Sequence, residues 1–269
     1  MPRVKTPISC IALLACCCIP MSQVNAEILF EDGFESGDYT TKWNTSAEGP
    51  TSLIEVVSSP VRSGSYAVHM KTTGANGDRR AELVPITESF YWEQEYWLGF
   101  SFQVRQYVGE CGIIVQHHSV PHDRDWSVGA GPNGFTLKAF SGGFLDLHVS
   151  TNDAIIHKTP DGTGADWGQI RVPLRFTKHV WYDVVCHFRY AADSTGFWEV
   201  WINDELVYRD AGPNIGVLDR SGTNRDPEEY LKIGLYPSRN GADGEVFFDE
   251  IRIGDANASY YDVRPAMID

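Results

Sequence analysis

The chain has 269 residues, 36 acidic against 22 basic, and 42% of its side chains are hydrophobic. That is apolar material enough for a sizeable core. The acidic balance argues against nucleic acid or an anionic membrane as partner, because both are bound through clustered Lys and Arg. An anionic ligand would have to meet a local group of cations.

At the N-terminus, Arg3 and Lys5 precede an apolar run from Ile8 to Ile19, and Val24-Asn25-Ala26 supplies small residues for cleavage. This is the pattern of an export signal over residues 1–26. A lipoprotein acylated at Cys16 or Cys17 is the alternative, but the later cleavage site fits the residues better. The mature chain, residues 27–269, is then secreted or periplasmic. The leader carries two bases and no acid, so 36 acids face 20 bases in the mature chain. No other stretch approaches the roughly 20 apolar residues of a membrane span. Four of the six cysteines lie in the leader, leaving Cys111 and Cys186. Spacing leaves a disulfide and two buried thiols equally open.

The mature chain has no Pro/Ser-rich linker, charge block or internal repeat, which predicts one domain, and nothing in it calls for more than a monomer. Glu31, Asp32, Glu35 and Asp38 cluster near its start. Apolar and aromatic runs with period-two alternation then recur between Gly, Asn and Asp clusters: 96–104, 112–118, 135–140, 144–150, 181–190, 197–202, 230–236 and 245–253. No helical period persists over three turns. Phe197-Trp-Glu-Val-Trp-Ile202, then Asn203-Asp204, then Leu206-Val207-Tyr208 predicts a hairpin. The expected fold is all-β, a jelly-roll sandwich of two antiparallel sheets.

Alternation decides which polar residues share a face. Arg80 and Glu82 point one way, and Ala81 and Leu83 the other. Gln116 and His118 share a face opposite His117. Tyr230, Lys232, Gly234 and Tyr236 align against Leu231, Ile233 and Leu235, and Gly234 reads as space left for a ligand above the sheet. This set suits one reaction, removal of the C5 proton of a uronate with expulsion of the C4 oxygen. Arg80 and Gln116 would neutralise the carboxylate, so that charge can build in the transition state. His118 is the candidate base and Tyr236 the candidate acid, or both at once if Lys232 and Arg80 lower its pKa. No metal is required by that chemistry.

These motifs resemble those of the jelly-roll polysaccharide lyases, a group holding family 7 alginate lyases, glucuronan lyases and heparin lyase I. Arg80-Ala-Glu-Leu83 is similar to the alginate lyase Arg-Ser/Thr-Glu-Leu motif, and Gln116-His-His118 to its Gln-Ile/Val-His. Tyr230-Leu-Lys-Ile-Gly-Leu-Tyr236 is similar to its Tyr-Phe-Lys-Ala-Gly-Val-Tyr. The order and approximate spacing agree over most of the mature chain. The resemblance implies a concave substrate cleft and the same roles for Arg80, Gln116, His118 and Tyr236, with Lys232 in support. Two departures, His117 within Gln-x-His and Pro237-Ser238 after the tyrosine, point away from alginate. The strand from Trp181 and the Gly196–Ile202 hairpin look closer to the glucuronan and heparin lyase branch. A glucuronan-like polymer is therefore favoured and alginate next, and an acidic protein with few cleft cations suits a polymer without sulfate.

Further substrate contacts are expected from His69, Glu82, Tyr230, Lys232 and Arg239. The plainer readings are a surface Arg80–Glu82 pair, solvated Gln116 and His118, and a tyrosine packing at a strand end. His187 and Arg189 are weaker cleft candidates, and His148 with Asp146 reads as a surface pair. Trp198 and Trp201 lie on opposite faces of one strand, so at most one can be a sugar platform. Glu35 and Asp249 are the expected ligands of a structural calcium ion, since sandwich domains of this kind bring their terminal strands together and hard oxygens suit Ca²⁺. A non-catalytic carbohydrate-binding or lectin-like module is the alternative from another class. A retaining glycoside hydrolase would need two carboxylates about 5–5.5 Å apart, and no Glu-x-Asp-x-x-Glu strand supplies them.

Overall fold

The computed structural model describes residues 25–48, 51–73, 80–106, 112–128, 134–139, 143–149, 169–217, 222–236 and 243–266. Sixteen strands are described: β1 (Ile28–Asp32), β2 (Trp43–Glu48), β3 (Ser52–Val57), β4 (Ala67–Thr72), β5 (Arg80–Pro85), β6 (Phe90–Tyr91), β7 (Glu95–Gln106), β8 (Gly112–Ser119), β9 (Phe135–Ala139), β10 (Phe144–Val149), β11 (Gln169–Arg175), β12 (Trp181–Arg189), β13 (Phe197–Ile202), β14 (Glu205–Ala211), β15 (Glu228–Tyr236) and β16 (Gly244–Gly254). The one α-helix among the described residues is the single turn α1, Tyr260–Val263. The expected all-β sandwich is the observed architecture. No described helix is long and apolar enough to cross a membrane.

One sheet runs β14-β13-β12-β7-β16-β4-β3, with β1 also on β16. The other runs β11-β10-β9-β8-β15-β5-β2, with β6 also on β15. Period-two alternation supplies the core between them. Met70, Phe100, Phe102 and Phe248 point in from the first sheet. Leu83, Val115, Leu137, Leu231, Ile233 and Leu235 point in from the second, all in one buried cluster. Burying a Leu or Phe side chain contributes about 1.5–3 kcal/mol, so this double row sets the register of every polar residue on the outer faces. The predicted hairpin forms: Ile202 pairs with Glu205, and both Asn203 and Asp204 take positive φ, as a two-residue primed turn requires.

Gly234 serves the backbone rather than a ligand. It has φ +131°, and an added Cβ would collide with the Ala81 carbonyl oxygen and lie 2.7 Å from Met70 Sδ. The register of β15 against β8 shifts between Ile233 and Tyr236, so Gly234 sits at a bulge pressed onto β5. Cys186 is a free thiol buried in the core, and burial raises its pKa. Residues 1–24, Cys111, Pro237-Ser238 and Arg239 lie outside the described residues, as do the side chains of Asp146 and His148.

Candidate active site

Three adjacent strands, β8, β15 and β5, carry the predicted residues onto the outer face of the second sheet. Register places them in rows. His118 is opposite Tyr230, Gln116 is opposite Lys232, and Gly234 is opposite Glu82. Arg80 lies on β5, and its guanidinium stacks over the Tyr236 ring, 4.7 Å from the centroid. The three motifs, separated by up to 150 residues in sequence, are thus one surface.

At the centre is Glu82. Its Oε1 accepts the Gln116 amide at 2.5 Å and its Oε2 accepts the Lys232 ammonium at 3.1 Å. With both oxygens receiving donors, Glu82 has the geometry of a carboxylate. Burial pushes its pKa up, and the Lys232 charge, the two hydrogen bonds and Arg80 oppose that rise. Glu82, Gln116 and Lys232 are all nearly covered, and both Glu82 oxygens are spent on its two neighbours, which leaves the expected substrate contact of Glu82 without a free oxygen. Its physical role is to hold Gln116 and Lys232 in place.

His118 is organised as an acceptor. Its Nδ1 lies 2.8 Å from the Ser119 carbonyl, which only accepts, so Nδ1 carries the proton and Nε2 bears the lone pair. Burial first, then the charge of Lys232, brings its pKa down to about 4, with Arg80 and Arg225 adding to the effect. The ring is therefore neutral in ordinary buffers. Its neighbour Tyr230 has its ring 5.3 Å away, and burial above all raises the phenol pKa, so Tyr230 keeps its proton.

Arg80 has a buried Nε without a hydrogen-bond partner. A buried orphan donor is costly. Tyr236 is 36% exposed at the far end of β15, six residues beyond Tyr230, while Arg80 reaches between the two ends of the row. Beneath the face, Arg225 and Glu229 form a fully buried ion pair at 2.5 Å, and Arg225 also stacks on Trp92 at 4.9 Å. His117 points into the core, where its Nδ1 lies 2.8 Å from the Tyr190 hydroxyl and burial takes its pKa down to about 3.

Several expectations fall elsewhere. His69 is not a cleft histidine. It lies on β4 of the other sheet, bracketed by Glu55 and Glu245 at 3.0 Å each and stacked on Phe247. His187 is likewise on that sheet, between Glu95 and Glu199 and flat against Trp97. Trp198 is core and Trp201 faces outward on β13, as alternation predicts, but β13 is not in the site's sheet. The aromatic that reasoning from strands missed is Trp126, in the loop after β8, with its ring 5.9 Å from His118 and 6.2 Å from Tyr230.

The two residues expected at a metal, Glu35 and Asp249, both hold the backbone of residues 62–66. An added Cβ on Gly33 would lie 3.4 Å from Glu250 Oε1, 3.8 Å from Asp249 Oδ1 and 3.8 Å from Glu35 Cγ. Asp249 is fully buried and accepts backbone N–H groups of Arg62, Ser63 and Glu250; burial is the main cause that brings its pKa up to about 7, and the Glu250 charge adds to it. Glu35 accepts the N–H groups of Ser65 and Tyr66. Of the three, only Asp249 and Glu250 bring carboxylate oxygens to this point; the exposed Glu35 carboxylate is turned to Ser65 and Tyr66, so they do not form a converged set of metal donors.

The chain matches the family model described as "Polysaccharide lyase" over residues 34–252. A search of curated proteins finds no match. Among solved structures it is similar to the endo-β-1,4-glucuronan lyase of the fungus Trichoderma reesei, at 16% identity and TM-score 0.65, over 90% of this chain and 100% of that one. It is also similar to the cellulose-induced protein Cip1, at 18% identity and TM-score 0.55, over 85% and 97%. A family 7 alginate lyase, A1-II′, crystallised with substrate, is similar at 14% identity and TM-score 0.52, over 85% and 98%. At such identities these likenesses establish the shared fold. The family match spans most of the chain: it belongs to the polysaccharide lyases and is an enzyme acting on polysaccharides.

Proposed function

We propose that the enzyme cleaves a non-sulfated polyuronate, glucuronan-like before alginate, by β-elimination on the face built from β5, β8 and β15. The observation that carries this reading is the His118 ring, held with Nδ1–H on the Ser119 carbonyl and Nε2 ready to accept a proton. Arg80 and Gln116 take the uronate carboxylate and stabilise the charge that builds as C5 loses its proton. His118 Nε2 receives that proton. The C5–H electron pair becomes the C4–C5 double bond, the C4–O bond breaks, and the leaving oxygen takes a proton from a tyrosine on the same face. The products are a new non-reducing end with a 4,5-unsaturated uronate and a chain with a free hydroxyl.

Tyr230 is the tyrosine whose position suits that transfer, since Tyr236 lies six residues farther along β15. Tyr230 faces His118 directly across the two strands, and burial keeps its phenol protonated. Separate Tyr236→Phe and Tyr230→Phe proteins decide between them, since the acid's loss removes turnover while a binding tyrosine's loss raises KM.

We propose no structural calcium ion at Glu35 and Asp249, because their carboxylates do not converge. Export through the leader is proposed on its residues alone.

A further inference from the structure

Trp126 sits where a loop residue with a large apolar side chain is expected to tuck in, yet it is 49% exposed. Its ring stands edge-on to Tyr230 (90°) and 5.9 Å from His118, so it walls the end of the row on which the candidate base lies. The loop is built to hold it there. Val120 is buried at the exit from β8. Backbone bonds then tighten the turn: Arg124 N–H to Pro121, Asp125 N–H to His122 and Trp126 N–H to Arg124, each at 3.0 Å. Asp125 caps the Ser127 N–H at 3.0 Å.

Two further contacts tie the loop to the segment that leads into and begins β15. The Asp123 N–H donates to Asp226 Oδ1 at 3.1 Å, and the Arg124 guanidinium pairs with the nearly buried Glu228 carboxylate. Asp123 and Arg124 both take left-handed φ, 50° and 55°, which non-glycine residues adopt at a cost of about 1–3 kcal/mol unless the surroundings enforce it. A strained, multiply anchored loop that presents a half-exposed indole beside a candidate base is organised for a ligand with an apolar face. A pyranose ring offers one, its axial C–H groups, and hydroxyls at its edge for the polar rim.

We propose that Trp126 is the stacking platform for the sugar unit adjoining the reacting uronate, a subsite at the His118 end of the row. This rests on the lyase reading for the identity of the ligand as a uronate oligomer, but the platform itself is a binding claim and is testable without turnover.

The test uses the mature chain with His118→Ala, titrated with size-defined glucuronan and alginate oligosaccharides while tryptophan fluorescence and calorimetric heat are followed. The same titration is run on His118→Ala/Trp126→Ala and His118→Ala/Trp126→Phe, each first shown to melt like its parent. The expected result is a fluorescence change in the parent that is lost in the Ala variant, with Kd weakened about tenfold or more and partly restored by Phe. In the active background, Trp126→Ala should raise KM by more than it lowers kcat. Unchanged Kd and KM in the Ala variants overturn the platform while leaving the lyase reading intact. Weakened binding in the Trp126→Ala variant, when the wild-type mature chain cleaves no polyuronate, keeps the platform and removes the elimination. A His118→Ala protein that binds none of these oligomers, with a wild-type chain that cleaves none, overturns both.

Discussion

Gln116 Nε2 donates to Glu82 Oε1 across 2.5 Å, while the second oxygen of the same carboxylate holds Lys232. One buried anion thereby positions the amide that would meet the substrate carboxylate and the cation that depresses the His118 pKa. Glu82→Gln leaves Lys232 buried without a counter-charge. Removing one member of such a pair costs about 3–5 kcal/mol. We expect a lowered melting temperature together with a fall in kcat, and a further Lys232→Met change should recover stability but not kcat. A Glu82→Gln enzyme with wild-type kcat would remove Glu82 from the site's organisation.

The pH dependence follows from His118. With its pKa brought down to about 4, the imidazole is neutral above that value, so kcat/KM should fall only as pH drops through about 4. An acid limb near ~6.5, the ordinary histidine value, would contradict the burial argument. The same depression acts on stability. Between about 6.5 and 4 the unfolded chain binds the protons that His118 and His117 refuse in the fold, so their contribution is fully present above ~6.5 and is lost as pH falls. Melting temperature measured from pH 7 to 4 should decline, and a His117→Phe protein should decline less.

Arg80 is the third point of attack. Its Nε is an orphan donor and its guanidinium covers Tyr236. Arg80→Ala should lower kcat/KM by about 10²–10³-fold, the range for loss of one donor to a developing oxyanion. Arg80→Lys should recover only part of this, because an ammonium lacks the planar fork. Steady-state kinetics on one polyuronate decide it; full activity of the lysine variant would mean that point charge alone is used.

Chelation tests whether calcium is held at Glu35 and Asp249. Their carboxylates hold the backbone of residues 62–66 and do not converge, so EDTA and added Ca²⁺ should leave the melting temperature unchanged. A melt lowered by EDTA, restored by Ca²⁺ and made insensitive by Asp249→Asn would contradict this, since a ligand bound only by the fold stabilises it by mass action.

What could be read along the chain was parity. The alternation in Arg80–Leu83, Gln116–His118 and Tyr230–Tyr236 assigns each side chain to a face, and the structure keeps those faces. Sheet membership is a different matter, because it depends on which distant strand supplies the partner. His69 has the parity of an outward residue, yet β4 pairs with β3 and β16, so outward there means the far side of the molecule. Glu82 was legible as a neighbour of Arg80 but not as a covered anion, since the donors that cover it come from β8 and β15. Several strands lacked a readable pattern: β2 is mostly polar, β6 has two residues and β11 contains Pro173. Trp126 lies in a loop, where no periodicity exists to assign a face.

The central claim is elimination at a uronate with His118 as base. The measurement that tests it most directly is the ultraviolet absorbance of the 4,5-unsaturated product when the mature chain meets glucuronan, alginate, pectate, hyaluronan and heparin, with His118→Ala alongside. The account predicts rising absorbance on a non-sulfated polyuronate and a rate about 10²–10⁴-fold lower in the variant. New reducing ends without absorbance, or a His118→Ala enzyme as fast as the parent, would contradict it.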